Sequence, residues 1–172
     1  MKWSVQQLQS LRHKGLQVNE SVELNELSTL DPEVRDVTPV HVKGEASFVD
    51  GTVTFRLAIE GALTLPCART LNDVVFPFYI EADEMFQLDG KDAADEENDV
   101  HEPEGQTVDL KPYIQERILL EKPLRVFSEN QDGPAPPEGD GWELQVEEEP
   151  TEEDEKAVDP RLKELGKFFD KD

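Results

Sequence analysis

The stretch from Val40 to Leu65 constrains the fold most tightly. Even positions Val40, Val42, Gly44, Ala46 and Phe48 are apolar or small, and after Asp50-Gly51 the odd positions Val53, Phe55, Leu57, Ile59, Leu63 and Leu65 take over. Period two on both sides of Asp-Gly signals a β-hairpin, because this dipeptide accepts the positive φ angles of a two-residue turn. The register follows from the turn. With Val49 facing Thr52, Phe48 faces Val53, Ala46 faces Phe55 and Val42 faces Ile59. On the other face Glu45 meets Arg56, Ser47 meets Thr54 and His41 meets Glu60. A slip by one residue would separate these opposite charges and turn the apolar set to solvent.

Weaker patterns flank the hairpin. Trp3 and Val5 alternate with Lys2 and Ser4, which fits a short strand or the start of a helix. Leu8, Leu11 and Leu16 suggest a short helix ending at Gly15. Val22, Leu24, Leu27 and Leu30 read as a strand followed by a helical turn, broken at Asp31-Pro32. Gly61 lies on the apolar parity and marks a bulge or bend. Residues 74–80 predict another strand with Phe76, Phe78 and Ile80 on one face. Pro77 confines it to an edge or a bulge, since proline cannot donate to a ladder.

Residues 87–106 are acidic and nearly free of large apolar groups. They bury too little surface to offset chain entropy and are expected to form a mobile acidic loop. Val108 closes a strand, Asp109 is the expected N-cap, and Pro112 falls in a first turn where a missing N–H is harmless. Leu110, Ile114 and Ile118 recur every four positions, so 109–121 reads as an amphipathic helix that Pro123 ends. Residues 129–158 form an expected acidic Pro/Gly-rich linker with Trp142 and Leu144 as anchors. Residues 159–172 form an expected short C-terminal helix. The whole predicts an α+β fold. An antiparallel β-sheet, curled or barrel-like, carries a packed helix, and the acidic segments are disordered. Residues 1–128 make up one folded domain.

Composition decides between function classes. The chain has 172 residues, 40 of them acidic and 17 basic, for a net charge of −23. Apolar residues are 36% and charged residues 33%, which suits a chain that is part folded and part solvated. Residues 1–86 carry 13 acids against 7 bases, and residues 87–172 carry 27 against 10. Such a surface repels phosphate backbones at long range and attracts basic proteins in a salt-sensitive way. No apolar run approaches the ~18–20 residues of a membrane span, and Met1 to Gln7 has no apolar signal region. The expectation is a cytoplasmic protein with no membrane partner and no small-molecule substrate.

No catalytic constellation stands out. His13, His41 and His101 lie in different segments, and runs such as Glu147 to Glu149 are solvated rather than desolvated. Glycines 133, 139 and 141 fall among prolines and acids, not in a phosphate-cradling loop. Cys67 is the single cysteine, so neither an internal disulfide nor a cysteine-only zinc site is available. It reads as a buried small hydrophobe. The alternative is a leftover metal ligand, or a reactive thiol whose pKa a nearby Arg69 would lower. No enzyme, cofactor or metal is expected.

Three motifs in order carry a resemblance. Cys67-Ala68-Arg69-Thr70-Leu71 follows the hairpin. Val108-Asp109-Leu110-Lys111-Pro112-Tyr113-Ile114-Gln115-Glu116-Arg117 follows the acidic stretch, and Asp159-Pro160-Arg161-Leu162 stands near the end. Over roughly residues 2–168 this order resembles the YceD family, named for accumulation of large-subunit ribosomal RNA, and most of all its YlbN-like branch from Bacillus-type bacteria. The family pattern at the first motif is Cys-x-Arg-Cys-Leu, and many members carry further cysteines after the helix. Here Thr70 takes the place of the second cysteine, and Val126 to Val158 contains none.

The resemblance implies a non-enzymatic role in ribosomal RNA accumulation and ribosome assembly. It also implies binding residues at Cys67, Arg69 and Leu71, at Asp109, Leu110 and Glu116, and at Asp159, Pro160 and Arg161. Family genes often lie beside that of a small basic ribosomal protein, which fits the charge argument. The partner is then large-subunit ribosomal RNA or a basic ribosomal protein, which mobile acidic segments would hold until it meets RNA. The alternative is direct RNA binding through Lys2, Arg12, His13 and Lys14, with Arg69 as a candidate neighbour, if these converge beside an exposed Trp3 or another aromatic platform.

Overall fold

The computed structural model describes residues 1–89, 100–130, 132–134 and 138–143. The chain divides into two compact units, Met1–Ala135 and Pro136–Asp172. The first begins with strand β1 (Lys2–Ser4), which runs directly into helix α1 (Val5–Leu11). Strand and helix readings of this segment therefore both hold, in succession. Ser4 makes the junction. Its hydroxyl accepts the Gln7 N–H at 3.1 Å, and its own N–H donates to Gln7 Oε1 at 2.8 Å. This reciprocal cap satisfies two orphan donors of the helix start. The helix ends at Leu11, earlier than expected, and a turn through Arg12, His13 and Lys14 leads to Gly15 at φ +72°.

Then come β2 (Leu16–Val22), α2 (Leu27–Leu30), β3 (Asp36–Val37), β4 (Val40–Val49), β5 (Thr52–Pro66) and β6 (Asp73–Gln87). Strands β7 (Val100–His101) and β8 (Thr107–Asp109) and helix α3 (Lys111–Glu121) complete the unit. The main sheet runs β2-β4-β5-β6-β7, with β3 pairing onto β5 beyond the end of β4. Its pairs are antiparallel except β6–β7. β1 pairs separately with β8. Among the described residues the sheet path stays open and forms no closed barrel.

The hairpin has the register derived from sequence: Phe48 with Val53, Glu45 with Arg56 and His41 with Glu60. Asp50 and Gly51 take φ values of +47° and +83°, as this turn requires. Gly61 makes no bulge, since the β5–β6 register is unbroken from Thr52–Gln87 to Pro66–Asp73. Its missing side chain instead makes room for Phe78, whose ring would lie 2.9 Å from an added Cβ. Pro77 also sits in regular pairing, opposite Ala62. The N–H and C=O of Ala62 turn to Thr38, so Pro77 presents its missing donor to the side of β6 away from β5. That is an edge position, where proline costs no ladder bond.

The even residues of β4 and β6 and the odd residues of β5 form the inner face. Phe55 and Phe86 are its largest fully buried side chains, and Trp3 stacks on Phe55 at 5.5 Å between centroids. Helix α3 lies against β6 and buries Ile114 and Ile118, with Leu110 buried at its start. The N-cap is Leu110, not Asp109, and no side chain caps it. Asp109 sits one residue earlier and accepts the Lys111 N–H at 3.1 Å. Burial explains why the helix tolerates this. Each buried aliphatic side chain is worth about 1.5–3 kcal/mol, against about 1 kcal/mol for a cap.

Two boundaries differ from expectation. β6 continues to Gln87, because Ile80, Ala82, Glu84 and Phe86 stay on the inner parity despite the acids between them. The acidic loop also ends sooner, since Val100 and His101 pair in parallel with Met85 and Phe86. The rest of that loop, 90–99, lies outside the described residues. In the second unit, β9 (Glu138–Gly139) and β10 (Trp142–Glu143) form a small hairpin with Gly141 at φ +81°, where a linker was expected. Leu144 and the expected helix at 159–172 lie outside the described residues. Among the described residues no helix is long and apolar enough to cross a membrane.

Candidate functional site

The link between β5 and β6 folds into a tight turn around Cys67. The Cys67 N–H donates to the Asn72 carbonyl at 2.7 Å, and the Leu71 N–H donates back to the Cys67 carbonyl at 3.0 Å. The segment after α3 wraps this turn. The Ala68 N–H donates to the Val126 carbonyl at 2.9 Å, and Asn72 Nδ2 donates to the Asp132 carbonyl at 2.6 Å. Gly133 passes so close that an added Cβ would lie 2.2 Å from the Thr70 carbonyl oxygen.

Cys67 is completely buried. Its sulfur accepts the backbone N–H groups of Arg69 and Thr70 at 3.4 Å and of Ser128 at 3.3 Å. Burial alone raises a thiol pKa. Here the Thr70 hydroxyl and the three N–H dipoles outweigh burial and bring it down to about 6. The cause is not the Arg69 charge anticipated from sequence. Arg69 Nη2 reaches the Ser128 carbonyl at 3.5 Å, and its Nε is buried without a partner among the described residues. Among these residues no cluster of three or more His, Cys, Asp or Glu is placed to hold a metal ion.

Leu71 is strained. It holds φ +62°, a region costing an L-residue roughly 1–2 kcal/mol, yet its side chain is 44% exposed. Arg35 Nη1 donates to the Leu71 carbonyl at 2.9 Å and pairs with Asp73. Leu71 and the almost fully exposed Leu124 line one cavity of about 160 Å³ beside Cys67.

A second cluster escaped the sequence reading. Glu84 is 2% exposed on the inner face of β6. Its carboxylate takes Arg117 Nε at 2.6 Å and lies 3.0 Å from His101 Nε2. His101 packs on Tyr113 at 4.2 Å and on Phe86 at 5.3 Å between centroids. The available signal was a charged residue on the buried parity of a strand.

The other anticipated residues scatter. Asp109 and Leu110 open α3, with Leu110 fully buried and Asp109 paired to Lys2 at 3.0 Å. They precede α3, whereas the Cys67 turn is met by the chain that follows it, through Val126 and Ser128. Glu116 is exposed midway along the helix. Arg12, His13 and Lys14 share one exposed turn near the hairpin tip, without an ion pair among the described residues. Arg69 lies at the opposite end of the β5–β6 ladder. Trp3 is half-buried on Phe55 rather than an exposed platform. Asp159, Pro160 and Arg161 lie outside the described residues.

The Cys67 turn and α3 fall inside the part of the chain, residues 55–169, that matches the family described as "Large ribosomal RNA subunit accumulation protein YceD". The chain belongs to the YceD family. It is also 41% identical over 174 residues to "Uncharacterized protein YlbN" of Bacillus subtilis (strain 168), covering 100% of this chain and 98% of that protein. No solved structure matches it significantly. The family description implies a role in accumulation of the large ribosomal RNA subunit. Within the matched region Thr70 is buried, and its hydroxyl hydrogen-bonds the Cys67 sulfur.

Proposed function

We propose that this chain promotes large-subunit ribosomal RNA accumulation by binding, without catalysis, and that it holds a basic ribosomal protein until that protein meets RNA. One observation carries the reading. The chain has a net charge of −23, and Lys2, Arg35, Lys111, Arg117 and Lys122 are each tied to a carboxylate of the chain itself. Forty acids against 17 bases leave 23 acids with no counter-charge in the chain. A basic partner would be steered to this surplus and released as ionic strength rises or RNA competes.

Two features supply places for contact. A broad concavity of about 840 Å³ on the sheet carries Glu45, Glu81 and Asp83 against Lys43 and Arg56. At the end of the ladder, Leu71 and Leu124 offer exposed apolar anchors beside Cys67 and Arg69. Anchors of this kind dominate interface energies, while surrounding charges set approach and register.

The test mixes the purified full chain with a purified basic large-subunit ribosomal protein at low and moderate salt, with RNase present. The expected result is a complex that survives RNase and dissolves as salt rises. Absence of any complex at low salt overturns the reading.

A further inference from the structure

We propose that the cavity between the end of α1 and the tip of the β4–β5 hairpin is a contact site for single-stranded RNA. It is a second site, opposite in polarity to the acidic surface and independent of the proposed hold on a basic protein.

The cavity measures about 400 Å³, within the ~300–1,000 Å³ usual for ligand pockets. Arg12 and His13 line it from the turn after α1, Phe48 and Val49 from β4, and Leu88 and Asp89 from the chain after β6. Its walls thus join cations to an apolar floor. Val49 is 65% exposed and Phe48 half-buried, so the floor is open to a planar group. Lys14 follows on the same turn.

Charge identifies the occupant. Arg12, His13 and Lys14 are consecutive, exposed and without an ion pair among the described residues, in a chain that ties many other cations to its own carboxylates. Among the described residues the one acid lining the cavity, Asp89, already accepts from Gln87 Nε2. Helix polarity explains only that cations are welcome here, because the last turn of α1 presents its carbonyls. It does not explain an apolar concavity beside them. A phosphate on each of Arg12 and Lys14 with a base against Phe48 uses both features, and stacking of one base on an aromatic ring is worth about 1–3 kcal/mol. An acidic peptide would use only the cations. The membership of this chain in a family named for ribosomal RNA accumulation points the same way.

The net charge makes a sharp demand. Long-range repulsion restricts contact to the few phosphates that touch the turn. Two phosphates on single-stranded RNA give a slope of log K against log salt of about −1.4.

The experiment follows fluorescence anisotropy of a labelled short single-stranded RNA against the full chain, over a salt series. Three proteins are compared: the wild type, the Arg12→Glu/Lys14→Glu double variant, and an Arg125→Glu control at the opposite end of the β5–β6 ladder. All substituted side chains are exposed, and circular dichroism checks that each variant folds. The expected result is binding with the shallow slope, weakened about tenfold or more by the double variant and about twofold or less by the control. Three results overturn the proposal: no binding at low salt, equal weakening by both variants, or a polyglutamate peptide competing as well as the unlabelled RNA.

Discussion

At Cys67 the sulfur faces the N–H groups of Arg69, Thr70 and Ser128, dipoles without net charge. At Glu84 the carboxylate faces two side chains, Arg117 and His101, delivered by α3 and β7. Both groups are buried acids, and the fold satisfies them by different means. Most of the Cys67 cradle comes from its own turn, so the dipoles form as the turn forms. The Glu84 cluster exists only once three separate elements have docked. It carries the Glu84 carboxylate out of water, so removing its cation leaves that carboxylate buried and uncompensated.

The largest test of this contrast is Arg117→Ala, which leaves the buried Glu84 carboxylate without its cation. Breaking a buried ion pair from one side costs about 3–5 kcal/mol, and denaturant melts should show a loss of that size. A loss under about 1 kcal/mol would mean that the cluster is solvated and that the contrast does not hold. Cys67→Ala comes next. It leaves three N–H donors without an acceptor, for a loss of about 1–3 kcal/mol.

That loss should depend on pH. The folded thiol titrates at about 6, below its ordinary 9.0, so the fold favours the thiolate. The stabilisation is complete above pH 9.0, fades as pH falls toward 6 and is gone below it. Cys67→Ala should therefore cost more at the alkaline end of this window than at the acid end. Equal costs at both ends would show that the sulfur binds as a thiol.

Thr70→Val sharpens the same point. It removes the hydroxyl that hydrogen-bonds the sulfur, and thiolate absorbance should then titrate at higher pH, closer to 9.0. An unchanged titration would assign the effect to the backbone dipoles alone. The smallest effect belongs to Leu71→Gly. It relieves roughly 1–2 kcal/mol of left-handed strain and adds a chain-entropy cost of about 0.5–1 kcal/mol, so stability should hold or rise slightly. If Leu71 is an anchor for a basic partner, the same variant weakens that complex while folding normally.

Much of the frame was legible before the structure. The β4–β5 hairpin and its register followed from alternation and Asp-Gly, because both signals are local. The α3 stripe of Leu110, Ile114 and Ile118 followed for the same reason. Cys67, Arg69 and Leu71 were legible as a unit through their motif, though not the strain at Leu71, which a side chain type does not reveal. The far half of β6 was missed because Glu81, Asp83 and Glu84 disguise the inner parity. The structural role of Gly61 was misread because its reason is the ring of Phe78 on the neighbouring strand.

The sequence by itself determined the β4–β5 hairpin and its turn, the apolar stripe of α3 and the acid surplus, since each depends on spacing along the chain or on simple counting. Tertiary structure decided which polar groups are buried together. Ser128 reaches Cys67 across 61 positions, and Arg117 and His101 reach Glu84 across 33 and 17. No periodicity spans such separations. Those contacts form only when the sheet and α3 have packed, because burial is what makes their hydrogen bonds and charges matter.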